Sequence, residues 1–193
     1  TMASTPSDVR AAGFPTYVRA SWADSFVRAG MFDDQNGFFY EYDGQSLYAV
    51  RRSSTSQIAG DINVTRGSQV VGGEGTSFTT QLSVGEFLVI RGQSYKITEI
   101  SSDIRLIVQP AYRGVTATRV KATKTIDTRT SQSNWNIDKA DGTGFTGYIL
   151  DTKKIQMAYI DYSWYGAGKI RYGFKDRVGH IRYFHEYLSL IHI

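Results

Sequence analysis

An all-β fold is predicted for this chain, on three observations. The sequence holds 19 Gly, 13 Tyr and 10 Phe against only 3 Pro. Glycine at turns and aromatics on pleated surfaces suit short strands joined tightly. Short runs alternate apolar with polar residues, most clearly at 169–175, where Ile170, Tyr172 and Phe174 alternate with Lys169, Arg171, Gly173 and Lys175. That period of two gives one buried and one wet face, as in an antiparallel sheet. No stretch shows sustained helical periodicity, a coiled-coil heptad or an internal repeat.

The elements follow in chain order. Residues 1–20 are small, polar and Pro-containing and read as a linker or disordered lead-in. A strand pattern begins near Trp22. Asp33-Asp34-Gln35-Asn36-Gly37 is a turn signal, because Asn and Gly accept positive φ. Phe38-Phe39-Tyr40-Glu41-Tyr42, then Asp43-Gly44, then Leu47-Tyr48-Ala49-Val50 reads as a hairpin. Phe38, Tyr40 and Tyr42 would share one face, with Phe39 and Glu41 on the other. After Arg51-Arg52 and the Ser/Thr stretch 53–56 the style changes. Residues 60–123 alternate well but hold almost no large aromatics: Ile62 and Val64, Phe87 and Val89, Tyr95 and Ile97, Ile104, Leu106 and Val108. Five or six short strands there suit a small barrel or compact sandwich. From Thr125 the aromatics return, with strands expected at 155–165, 169–175 and 180–187.

An insertion is the simplest organisation. Segments 21–57 and 124–187 form an aromatic-rich antiparallel β-sandwich of jelly-roll-like kind, and 58–123 is a small β-barrel module inserted within it. Insertion at an exposed loop costs little when the inserted termini lie close together.

Bulk properties narrow the function. The 193 residues carry a formal charge of +4, with Lys and Arg interleaved among acids and aromatics rather than clustered. A basic face for nucleic acid or membrane is not expected. There is no Cys, which excludes disulfides, Cys-zinc sites and Cys nucleophiles. No apolar run approaches the ~18–20 residues of a bilayer span. The N-terminal TMASTPSDVR lacks the apolar region of a signal peptide.

Several motifs carry candidate chemistry. Asp33, Asp34 and Asn36, and again Asp138, Asp141 and Gly142, resemble pieces of a calcium loop, but neither has the closing bidentate acid. Turn chemistry is the expectation for both. His180 and His185 are five apart on an expected strand, hence on opposite faces, and a satisfied, half-buried imidazole is expected for each. No Gly-x-Ser-x-Gly occurs. Gly72-Gly73-Glu74-Gly75-Thr76 lacks the Lys-Ser/Thr of a P-loop and is expected to be a turn. Exposed Tyr and Trp would suit sugars, but filling the core is the favoured role. No catalytic, cofactor-binding or metal-binding residue is therefore assigned, and no cofactor is expected.

Several stretches resemble a known family. They are Val27–Asp33, Asn36–Tyr40, Leu47–Ser53, Gln132–Asp138, Asp141–Gly144 and Ala158–Phe174. Together they resemble a virion structural protein of contractile-tailed bacteriophages, notably those of marine cyanobacteria. The inserted part, with Val70-Val71, Gly75–Phe78, Leu82–Glu86, Tyr95–Ile97 and Ser102-Asp103, resembles a small β-module of phage structural proteins. Phe145-Thr146 stands where the family would have a Pro-containing turn. The resemblance implies a non-enzymatic structural component of the tail, baseplate or a fibre, located in the virion and assembled in the host cytoplasm. Its partners would be other virion proteins and copies of itself. The alternatives are a host-surface glycan-binding module and a polysaccharide depolymerase fragment. Residues 188–193 resemble the translated read of a sequencing adapter, so a metagenomic fragment is expected.

Overall fold

The computed structural model describes residues 11–16, 27–152, 154, 156–162 and 168–189. The described chain is almost entirely antiparallel β-structure. Its strands are β1 (Ala11–Thr16), β2 (Val27–Phe32), β3 (Gly37–Tyr42), β4 (Leu47–Gln57), β5 (Asp61–Val64), β6 (Val70–Glu74), β7 (Phe87–Ile90), β8 (Gln93–Ser102), β9 (Arg105–Gln109), β10 (Ala117–Val120), β11 (Ala122–Ser131), β12 (Gln156–Tyr162), β13 (Gly168–Lys175) and β14 (Ile181–Ser189). The regular helix is a single turn, Phe78–Gln81. The chain divides into two compact units, one of residues 1–32, 37–51 and 128–193, the other of 33–36 and 52–127. Strands β4 and β11 pass through both.

The first unit is rich in aromatics. Its strands come from a four-stranded sheet, order β1-β12-β13-β14, and from the β11-β4-β3-β2 end of a ten-stranded sheet. Tyr40, Tyr42, Leu47 and Ala49 of the second sheet share a core with Ile160, Tyr162, Ile170, Tyr172, Phe174 and Phe184 of the first, with Trp135 among them. The alternation at 169–175 is the cause: Ile170, Tyr172 and Phe174 are buried. A buried tyrosine needs a partner for its hydroxyl. Tyr40 donates to Gly173 O at 3.0 Å, and Tyr172 to Val50 O at 2.6 Å. The Tyr40 and Tyr172 rings meet edge-on, 5.3 Å apart.

The second unit has the order β10-β5-β6-β9-β8-β7-β11. Its outermost strands, β10 and β11, are separated in the chain by Lys121 alone, and Ile58 N–H donates to Ala122 O at 3.1 Å. The sheet thus wraps one aliphatic core that includes Ile62, Phe78, Leu88, Ile97, Leu106 and Val108. Arg52 grips Asp127 with two 2.8 Å hydrogen bonds and donates a third to Asp33 O.

Three expectations change, and one strand proves buried on both faces. Within the expected lead-in, Ala11–Thr16 form β1 and pair with β12. Pro15 fits there because β1 ends its sheet, and proline is tolerated on an edge strand. The Phe39/Glu41 face is buried as well: Glu41 is 2% exposed and lies 2.6 Å from both Arg28 and Arg129, so paired charge makes its burial possible. Gly72 and Gly73 pair with Asn63 and Ile62 as strand. At Gly73 a side chain would run into Thr76 Oγ1, so close approach explains the glycine. His180 precedes β14 rather than lying on it. The expected Gly166-Ala167 turn, together with Trp22, Trp164, Tyr165 and 190–193, lies outside the described residues.

Candidate docking cleft

The residues weighed for metal chemistry act as turn and loop formers. Asp33 Oδ1 accepts N–H bonds from Gln35 and Asn36, both at 2.7 Å. Asp141 Oδ1 accepts from Thr143 N–H at 2.9 Å and from its hydroxyl at 2.6 Å. These are short polar side chains closing their own turns.

Asp138 does more. Its buried carboxylate accepts from Ala140 N–H at 2.8 Å, Thr146 N–H at 3.0 Å and Thr146 Oγ1 at 2.6 Å. Burial pushes its pKa up, but these hydrogen bonds outweigh it and hold the carboxyl below the usual aspartate range. Gly144 packs so closely that a Cβ there would overlap the carboxylate. Ala140 takes a left-handed φ of 53°, and Leu150 N–H donates to its carbonyl at 2.8 Å. The 138–150 loop is thus wound around one charged group. Its exposed side chains are mixed: Lys139, Asp141 and Thr143 are polar, while Phe145, 80% exposed, and Ile149, 70%, are apolar.

A second turn faces this loop across a cleft. Between β13 and β14, Asp176 accepts from Val178 N–H at 3.0 Å, His180 N–H at 2.8 Å and Arg182 Nε at 3.0 Å. Burial raises the Asp176 pKa, yet these bonds, His180 N–H first, hold it below normal. The turn presents Val178, 74% exposed.

The cleft has a volume of about 890 Å³, and Ile149, Met157, Val178, Lys154, Lys175 and Arg177 are among its lining residues. Its floor is tied internally: Tyr148 Oη donates to Gln156 Oε1 at 3.0 Å, and Gln156 Nε2 donates to Asp151 O at 2.8 Å. Burial, then the nearby Asp176 carboxylate, raises the Tyr148 pKa.

No family model and no curated protein matches the chain. Among solved structures it is similar to "Phage phi92 endosialidase", at 11% identity and a TM-score of 0.23, over 83% of this chain. This chain spans 30% of that one.

Neither His180 nor His185 lines the cleft. His180 is exposed, 3.7 Å from Asp176. His185 is buried, 4% exposed; its Nδ1 accepts from Asn136 N–H at 3.3 Å and its Nε2 has no partner. Burial pushes its pKa down to about 4, with the Glu186 carboxylate acting weakly the other way. Most of the described large aromatics fill the two cores. The cleft itself escaped the sequence reading, because Ile149, Met157 and Val178 come from separate segments. The one local signal was the glycine- and aspartate-rich run 138–144.

Proposed function

We propose that this chain is a non-enzymatic structural component of a tailed-phage virion, from the tail, the baseplate or an associated fibre. It works through β-rich assembly contacts with other virion proteins and with copies of itself, in particles assembled in the host cytoplasm. The observation that carries this reading is the exposed apolar set Ile149, Met157 and Val178 around the cleft. Rigid hydrogen-bonded turns hold Ile149 and Val178 outward, and exposed apolar clusters of this kind mark interaction surfaces. The sequence resemblance to virion structural proteins supports the same reading.

Antibodies raised against the chain test it by immunogold labelling of purified virions. Label on the tail or baseplate is the expected result. Virions without label, beside free protein in the same lysate, would overturn it.

A host-surface glycan module is the second reading, favoured by Phe145, whose exposed ring could stack on a sugar. Retention on envelope polysaccharide that is lost in Phe145→Ala would favour it over assembly. Release of reducing sugar from that polysaccharide would point to the depolymerase instead.

A further inference from the structure

We propose that the cleft between the 138–150 loop and the β13–β14 turn docks a short segment of a neighbouring protein carrying one or two carboxylates beside an aliphatic side chain. This rests on the assembly reading above and names the chemistry of the partner.

The charges in the cleft do not cancel locally. Two acids line it, and both are engaged. Asp151 lies 3.0 Å from Lys154, and Asp176 is held by Arg182 and two main-chain N–H groups. Lys175 and Arg177 also line the cleft, and among the described residues neither has an ion pair. Two uncompensated cations thus stand beside three exposed aliphatic side chains. An occupant that matches both features has carboxylates next to an apolar group.

The polar groups of the floor are satisfied internally. Here the Tyr148 hydroxyl and the Gln156 amide bond to each other and to the main chain. They ask little of an occupant, which suits an aliphatic side chain over them. The volume, about 890 Å³, lies within the ~300–1,000 Å³ of ligand clefts, enough for a few residues. Both walls are preorganised, one around Asp138 and the other around Asp176, so little ordering cost is added on binding.

The test is an amide NMR titration of the whole chain with three probes: the peptide acetyl-Glu-Leu-Glu-Leu-Glu-amide, its Gln-for-Glu isostere, and an oligogalacturonate. Saturable shifts at amides of 146–157 and 175–179 are expected with the acidic peptide, and clearly weaker binding with the isostere. Lys175→Gln with Arg177→Gln is expected to weaken the acidic peptide about tenfold. Arg177→Gln alone, at an exposed position, is the second variant should the pair disturb folding. Absence of saturable shifts, equal binding of both peptides, or cleft shifts with the oligogalacturonate alone would overturn the proposal. Virion labelling without peptide binding would overturn the partner chemistry and leave the assembly reading standing; absent labelling would overturn the assembly reading itself.

Discussion

Asp138 and His185, both buried, shape the local chemistry of the aromatic unit. Asp138 accepts three hydrogen bonds from its own loop, so its charge organises the wall of the cleft. Asp138→Asn turns one oxygen into a donor facing other donors. A buried donor left unmatched costs ~1–3 kcal/mol, and more where charge-assisted bonds are lost. We expect a stability loss of ~2–3 kcal/mol by denaturant titration, with Thr146→Ala giving part of the same loss. His185 contributes a pH dependence. Its folded pKa is about 4, against ~6.5 for free histidine, so the unfolded chain takes up the proton first as pH falls. Stability from this group is complete above about pH 6.5, falls between there and pH 4, and changes no further below. The loss is on the order of 3 kcal/mol. Thermal melts across that window should show it in the parent chain and much less in His185→Phe.

At the scale of elements, one side chain closes a sheet edge. The Asn136 amide donates to Glu186 O at 2.9 Å and accepts from Glu186 N–H at 2.9 Å, imitating a paired strand against β14. Ile137 and Asp138 N–H both donate to Phe184 O, at 3.1 and 3.0 Å. An uncovered edge is a template for unwanted pairing. In Asn136→Ala we expect the Glu186 amide to exchange with solvent faster, by hydrogen-exchange mass spectrometry, while β13 amides paired on the other side stay protected. Unchanged exchange at Glu186 would show that the amide does not cover this edge. None of this was legible in the sequence, because Asn136 and Glu186 lie 50 residues apart. What was legible was the strand pattern itself. Ile170, Tyr172 and Phe174 are buried while Lys169, Arg171 and Lys175 are not; Gly173, beside a register shift between Tyr172 and Gly173, is buried against the alternation. The hairpin at 38–50 was legible too; the burial of its second face was not, since a two-residue period cannot say that Arg28 and Arg129 will neutralise Glu41. His180 was misplaced for a similar reason: Asp176 closes the turn with three acceptor bonds and draws His180 out of the strand.

At the scale of the whole molecule, residue type tracks the two cores. Tyr, Trp and Phe fill one, and Ile, Val and Leu dominate the other. That contrast is visible in composition along the chain, which is why an all-β architecture with two styles of strand could be read early. The cleft could not, since its lining converges from the 146–157 and 175–178 segments. The central claim, that this cleft is an assembly surface in a virion, is tested most directly by amine footprinting. Purified virions and the isolated chain would be labelled side by side and compared by mass spectrometry. Lys175, and to a lesser degree Lys154, should be protected in the virion, while Lys96 and Lys121, exposed in the second unit, label alike in both. Equal labelling of Lys175 in both samples, from virions that contain the chain, would contradict the claim.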